Sequence, residues 1–210
     1  DYYMLEGDTA RQEVWEKLEG LLRKDWPHAC GATLPIRVMA VDSGYATQDV
    51  YGWVKTHPQA SWGGSGARAS SPRTVVAVKG RDTETALILS VSKADVGSKK
   101  RGLRVWNVSG PVAKMELYRW LKLDRPTKED EPFPPGTCHF PEYAEEYFKQ
   151  LTAEKRVIKL HKGFPRASWQ KDPTRNNEAL DCRVYARTAA SLYGIDRFSE
   201  RQWQQLEAAL

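Results

Sequence analysis

Two acidic residues three positions apart, Glu178 and Asp181, lie in the segment "TRNNEALDCRVYARTAA" between Arg175 and Arg183. If a helix begins near Asn177, both carboxylates lie on neighbouring turns of one helical face. Like charges on a face that packs toward a core are costly unless a cation or hydrogen-bond donors compensate them. The pair is therefore a candidate cation site. The alternative is pairing with Arg175 or Arg183 near the helix N-terminus, where the helix macrodipole also favours acids.

A third carboxylate, Asp42, follows the nearly all-apolar run 36–41 and precedes Ser43 and Gly44. A run of this length and composition predicts a strand covered on both faces, and open α/β sheets bind ligands at the carboxyl ends of such strands. Asp42 is therefore a candidate functional residue. The alternative is a turn aspartate that accepts hydrogen bonds from nearby backbone amides.

Carboxylate oxygens with open water positions suit Mg²⁺ or Mn²⁺. The three cysteines show no CxxC pattern, and zinc-ligand spacing is absent from the four histidines, His28, His57, His139 and His161. Two carboxylates from distant parts of a chain that meet at a sheet edge fit metal-assisted phosphodiester cleavage. In that chemistry one ion lowers the pKa of the attacking water and another stabilises the leaving oxygen.

The net charge of +5 is distributed in blocks. Residues 155–175 contain seven Lys or Arg and one Asp or Glu, and residues 79–104 contain seven and three, whereas residues 124–154 contain three and eight. A basic face attracts a polyanion such as nucleic acid, and the alternative is solvated surface. The candidate phosphate contacts are Lys79, Lys99, Lys100, Arg101 and Arg175.

The elements that must position these residues alternate between helix and strand, which predicts an α/β fold. Helices are predicted over 9–23, from 47, from 111, over 141–152, from 177 to 193 and over 199–210. Strands are predicted over 36–41, 74–80, 85–93, 103–110 and 154–161, with the polar segment 61–72 as a connection. The chain contains no GxxxxGK[ST], GxGxxG, GxSxG or HExxH motif, which disfavours P-loop, dinucleotide-binding, serine-hydrolase and zinc-protease chemistry.

Four segments in this order resemble the nuclease domain of lambda-like phage terminase large subunits, the GpA family: "RVMAVDSGYATQDVYGWV", "VVAVKG", "HFPEYAEEYFKQLTAEK" and "RNNEALDCRVYARTAA". The resemblance implies an RNase H-like mixed sheet flanked by helices. It also implies an endonuclease that cuts concatemeric double-stranded DNA during phage genome packaging with Mg²⁺ or Mn²⁺. By position, Asp42 and Asp181 would be catalytic metal ligands, Glu178 a further ligand or a structural partner, and Lys79 the lysine of the family's "KG" element.

The family carries another aspartate on a first strand, upstream of the segment that resembles "DYYMLEGDTARQEVW", and an ATPase motor domain before that strand. Residues 1–210 are therefore interpreted as one nuclease domain that lacks its first strand and has no ATPase domain. The resemblance implies that the parent protein works on double-stranded DNA with a terminase small subunit and a portal protein. No run of residues is long and apolar enough to cross a membrane, and the expected location is the host cell cytoplasm.

Two rival interpretations stay open. The first is a catalytically incomplete module that binds DNA or packaging partners, because a missing acid would leave the metal site short of a ligand. The second is another RNase H-like nuclease such as a resolvase, which would prefer branched DNA. Metal-dependent cutting that is lost when Asp42 or Asp181 becomes Asn distinguishes the nuclease from the binding module.

Overall fold

A computed structural model describes residues 1–63, 66–68, 72–94 and 102–209 of the chain. The chain divides into two compact units. The sheet unit comprises Tyr3–Gly80, Ile88–Val108 and Tyr185–Leu210, and the hairpin unit comprises Asp1–Tyr2, Arg81–Leu87 and Ser109–Val184.

The helices are α1 Gln12–Arg23, α2 Thr47–Val54, α3 Gly110–Trp120, α4 Glu145–Leu151, α5 Glu178–Tyr193 and α6 Glu200–Ala208, with a short 3-10 helix at Ile195–Arg197. The strands are β1 Asp25–Pro27, β2 Thr33–Pro35, β3 Val38–Asp42, β4 Ser61–Gly63, β5 Gly66–Arg68, β6 Thr74–Arg81, β7 Ile88–Ala94, β8 Leu103–Ser109, β9 Glu154–His161 and β10 Phe164–Lys171. Helix α5 begins in the hairpin unit and ends in the sheet unit.

The sheet unit is built on a four-stranded sheet in the order β3-β6-β8-β7. Strands β3 and β6 are parallel, with Asp42 opposite Val78, and β7 and β8 are antiparallel. The sheet is therefore mixed, which confirms the predicted α/β class with a mixed sheet and flanking helices. The RNase H-like topology stays a prediction.

Alternate residues of the central strands face different helices, as the period of a strand requires. Val75 and Ala77 pack in one buried cluster with Leu22 of α1 and Val54 of α2. On the other side, the fully buried Val76, Val78, Trp106 and Val108 pack in a cluster with Leu192 of α5. Because both faces of β6 are covered by helices, its sequence is a continuous apolar run instead of an alternating one.

The hairpin unit contains α3, α4, the first two turns of α5, and an antiparallel pair, β9 and β10. Ser109 caps α3, because its hydroxyl accepts a hydrogen bond from the Val112 backbone amide, and Pro111 occupies the first turn, where the missing amide proton costs nothing. The turn between β9 and β10 consists of Lys162 and Gly163, both with positive φ, as a two-residue hairpin connection requires.

Several expectations from the sequence differ from the structure. The segment 61–72, expected to be a connection only, contains the short pair β4 and β5. The sequence does not predict strand β10, because six of its eight residues are polar, proline or alanine and most are exposed. Among the described helices, none is long and apolar enough to cross a membrane.

The contact between α1 and the end of α2 depends on Glu19. Its carboxylate lies 2.6 Å from the Arg23 guanidinium and 2.7 Å from His57 Nε2. Partial burial raises the pKa of Glu19, but the hydrogen bonds from Arg23 and His57 outweigh that effect and lower the pKa below 4.5. The folded state therefore prefers the ionised carboxylate.

The Glu19 contact predicts a pH-dependent loss of stability. Because its folded pKa is lowered, the contribution of Glu19 is present above its ordinary pKa and disappears as the pH falls through the lowered value. The difference in free energy of unfolding between the wild type and Glu19→Gln should be largest near pH 7 and shrink toward pH 3, roughly the acid end of carboxyl titration. Urea unfolding across this range measures it, and a difference that is independent of pH would contradict the assignment.

The sheet core makes a second prediction. Leu192 is fully buried against β6 and β8, so Leu192→Ala should lower the free energy of unfolding by about 2 to 5 kcal/mol through lost contacts and a cavity. The matched control is Leu160→Ala, because Leu160 is 77% exposed and its loss should change stability by less than about 0.5 kcal/mol. Equal effects of the two variants would show that α5 does not cover this face of the sheet.

Candidate functional site

Asp42 ends β3 at the carboxyl edge of the sheet and is exposed. The next residue, Ser43, is fully buried, and both its amide and its hydroxyl donate to the Val78 carbonyl at 2.9 and 2.8 Å. Asp42 Oδ1 accepts a hydrogen bond from the Gly44 amide at 3.1 Å, which is the bond expected of a turn aspartate. That bond uses one of the several acceptor positions of a carboxylate, so Asp42 is anchored by its backbone and presents its side chain to solvent.

Lys79 follows Val78, the parallel partner of Asp42, and is half-buried. The structure therefore brings Asp42 and Lys79 to the same edge of the sheet, on neighbouring strands. Because successive side chains of a strand alternate, the two leave the sheet on opposite faces. The glycine after Lys79 has a packing role: a side chain at Gly80 would lie 3.2 Å from the Tyr185 hydroxyl of α5.

Asp181 lies in the hairpin unit, in the first turn of α5, and is half-buried. Its Oδ2 accepts a hydrogen bond at 3.2 Å from the side-chain amide of Asn177, and its backbone amide donates to the Asn177 carbonyl at 3.0 Å. The Asn177 side chain also donates to Glu154 Oε1 at 3.0 Å. One amide therefore joins two carboxylates that are 27 residues apart in the sequence.

Glu154, the first residue of β9, is only 7% exposed. Lys114 of α3 compensates its charge, with Nζ 2.8 Å from both carboxylate oxygens. Glu154 is absent from the sequence-predicted site residues because it belongs to the acidic block 124–154, which resembles solvated surface. The residues that compensate it, Lys114 and Asn177, are distant along the chain, so no local pattern identifies the group.

Glu178 and Arg175 are both exposed and lie just before or at the start of α5. Arg175 Nε lies 3.6 Å from Asp172 Oδ2, so its ion pair is with Asp172. Hydrogen bonds from Thr174, followed by the charge of Arg175, lower the pKa of Asp172. The contact brings Arg175 to the loop that leads into α5, beside the candidate acids.

The acidic side chains at the start of α5 affect the pKa of a neighbouring thiol, that of Cys182. Desolvation is the largest effect that raises the pKa of Cys182, and the carboxylates of Asp181 and Glu178 raise it further. The two carboxylates therefore place negative charge beside the thiol. In the described part of the chain, no three or more His, Cys, Asp or Glu side chains form a ready-made metal cluster.

The predicted site residues are thus distributed as follows. Asp42 and Lys79 lie in the sheet unit, and Arg175, Glu178 and Asp181 lie in the hairpin unit. Lys99, Lys100 and Arg101 fall outside the described residues, so their DNA-binding role stays a prediction. Asp42 in the sheet unit, and Glu178 and Asp181 in the hairpin unit, each offer carboxylate oxygens, which Mg²⁺ and Mn²⁺ prefer as ligands.

The Lys114–Glu154 pair predicts a large cost for removing one partner. Lys114→Met leaves the buried Glu154 carboxylate with the Asn177 amide but without a cation, and should lower the free energy of unfolding by about 3 to 5 kcal/mol. Adding Glu154→Leu should recover much of that loss, because no charge then remains buried. The matched control is Lys149→Met, whose pair with Glu145 is exposed and worth at most about 1 kcal/mol. Urea unfolding compares them, and a Lys114→Met cost no larger than that of the control would contradict a structural role for the buried Lys114–Glu154 pair.

Residues 1–203 match the family described as terminase large subunit gpA, endonuclease domain. The terminase large subunit of Enterobacteria phage P21 is 28% identical over 209 residues, which are 97% of this chain and 29% of that protein. The terminase large subunit of Escherichia phage lambda is 31% identical over 134 residues, which are 62% of this chain and 19% of that protein. No solved structure matches the chain. The chain spans less than a third of the length of these relatives.

The family match extends from the first residue into the first turn of α6, and so includes all four segments that carried the resemblance. It confirms the family inferred from those segments. This chain belongs to the family of terminase large subunit gpA endonuclease domains.

Proposed function

We propose that this chain is a divalent-metal-dependent endonuclease domain, with an RNase H-like fold, that cuts concatemeric double-stranded DNA during phage genome packaging. The observation that carries the proposal is Asp42, an exposed carboxylate at the carboxyl end of a parallel strand in a member of a terminase endonuclease family. A carboxylate in that place faces the crevice where α/β sheets bind ligands. The mixed sheet with helices on both faces is compatible with the proposed fold.

In this proposal Asp42 and Asp181 hold Mg²⁺ or Mn²⁺, with Glu178 as a further ligand. When bound, one ion would activate the attacking water and another would stabilise the leaving oxygen. Asn177 orients Asp181 by donating to its Oδ2, and Ser43 holds the turn after Asp42 against β6. Asp42 and Asp181 are therefore held by neighbouring groups, which lowers the cost of ordering these two side chains on a cation.

Basic residues would hold the DNA backbone without reading its sequence. Arg175 is exposed beside the start of α5, and Lys79 lies at the edge of the sheet that carries Asp42. We assign the same role to Lys99, Lys100 and Arg101. The parent protein would act on double-stranded DNA in the host cell cytoplasm, together with a terminase small subunit and a portal protein.

The test is nicking and linearisation of a supercoiled plasmid by the chain with Mn²⁺, Mg²⁺ or EDTA. Asp42→Asn and Asp181→Asn should each lose more activity than the about 10- to 100-fold typical of residues that merely orient a metal ligand. Asp130→Asn is the matched control, because Asp130 is exposed in the loop between α3 and α4 and should cut normally. Calorimetric titration with Mn²⁺ provides a second readout, in which both site variants should bind the ion more weakly than the control.

Metal-dependent cutting that survives in Asp181→Asn would exclude Asp181 as a ligand. No cutting by a folded wild-type chain that still binds DNA would instead support the catalytically incomplete binding module. Preferential cutting of a branched junction over the plasmid would support the resolvase-like alternative.

A further inference from the structure

The side-chain contacts that attach the β9–β10 hairpin to its unit lie at its base, and its outer half borders a cavity that Asp82, Glu84 and Pro111 also line. At its base, Glu154 pairs with Lys114, Arg156 lies 3.1 Å from Glu84, and Trp169 packs edge-on against Tyr118 with ring centroids 5.0 Å apart. From residue 158 to residue 166 every residue is exposed. The eight residue pairs run without a register shift from Glu154–Lys171 to His161–Phe164. The hairpin is therefore a continuous ribbon with an anchored base and a solvent-exposed outer half.

The register divides the ribbon into two faces, because side chains directly opposite each other point to the same side. The basic face carries the cross-strand pair Lys159 and Arg166, with Lys155 nearer the base. The apolar face carries Ile158, Leu160 and Pro165 in the outer half. Ile158 and Leu160 are 69% and 77% exposed, and Phe164, which lies opposite His161 on the basic face beside the turn, is 76% exposed.

The exposed side chains of the apolar face and the charge of the basic face both indicate a binding partner. Large apolar side chains that are this exposed and contiguous are unusual unless they contact another molecule. The surrounding segment, residues 155–175, has seven Lys or Arg and one acid, so that molecule is a polyanion. Arg156 pairs with Glu84 and Arg175 with Asp172, whereas the other basic residues of this stretch, which include Lys159, Lys162 and Arg166, are exposed.

The dimensions of the ribbon match a DNA groove. A two-stranded β-ribbon fits the major groove of B-form DNA, which is about 12 Å wide and 8.5 Å deep. Four residues of extended strand span about 13 Å, so the exposed outer half is long enough to reach the groove floor. Groove walls are lined by phosphates, whereas the floor presents apolar thymine methyl groups between polar base edges. A ribbon with one basic and one apolar face therefore complements the DNA groove better than it would complement a uniformly acidic protein surface.

We propose that the β9–β10 hairpin is a DNA-binding arm that enters the major groove of the duplex. Lys159 and Arg166 contact phosphates, and Ile158 and Leu160 contact the apolar parts of the groove. The inference rests on the proposed function in that duplex DNA is the substrate, and it adds residues of the hairpin to the predicted phosphate contacts.

The first test is the salt dependence of DNA binding, measured by fluorescence anisotropy in EDTA on a labelled duplex of about 30 base pairs, roughly three helical turns. Lys159→Gln with Arg166→Gln should weaken binding and reduce the slope of log K against log salt by about 2, since each phosphate contact contributes about 0.9. The matched control, Arg125→Gln with Lys128→Gln, removes the same charge from exposed residues of the acidic block and should leave the slope unchanged. The charge-conserving pair Lys159→Arg with Arg166→Lys should keep the wild-type slope.

The second test separates the apolar contacts from the charges. Ile158→Ser with Leu160→Ser should weaken DNA binding by about tenfold at every salt concentration, with an unchanged slope, because apolar burial is lost but no phosphate contact is. Met4→Ser is the control, since Met4 is 79% exposed and lies outside the hairpin. Circular dichroism melting verifies that each variant is folded.

Wild-type affinity and slope in both hairpin variants, with normal metal-dependent plasmid cutting, would overturn the arm and leave the nuclease proposal standing. The reverse result, reduced slopes in a chain that never cuts, would overturn the nuclease and support the arm. If the hairpin variants bind DNA normally but lose binding to a terminase small subunit, the surface is a protein interface and the DNA proposal is wrong.

Discussion

The burial of Glu154 is the constraint on which the hairpin unit depends. A carboxylate removed from water costs several kcal/mol unless donors surround it, and in this unit Lys114 and Asn177 supply them. Because Lys114 belongs to α3, Glu154 begins β9, and Asn177 immediately precedes α5, the compensation of one charge fixes three elements together. The same Asn177 amide donates to Asp181. The orientation of the candidate metal ligand is therefore tied to the Lys114–Glu154 ion pair.

Much of the sheet unit was predictable because its strands are covered on both faces. Residues 74–78 of β6 are all fully buried, so selection for packing leaves a continuous apolar run that is visible in the sequence. Strand β10 lacks that signal, since it pairs with β9 at the surface and its register is set by the partner strand. The Lys162–Gly163 turn is also atypical, because Asn or Asp is the usual first residue of such a turn.

The candidate carboxylates can be found in the sequence to the extent that their setting is local. Asp42 follows a buried strand and precedes a turn, and Asp181 lies on the packed face of an amphipathic helix, so position and residue type together identify both. Glu154 was not predictable, because its significance comes from a lysine 40 residues earlier and an asparagine 23 residues later. Such compensation is a tertiary property. The sequence shows only an acid among other acids.

The geometry also links the base of the hairpin to the candidate site. Glu154 and Lys171 are cross-strand partners at that base, and both contact Asn177, since Lys171 Nζ lies 3.4 Å from Asn177 Oδ1. The two strands of the ribbon therefore hold opposite ends of the one amide group that donates to Asp181. The base of the hairpin and the candidate ligand Asp181 therefore share one hydrogen-bonding partner, Asn177, and the hairpin strands and the first turn of α5 are held together at that residue.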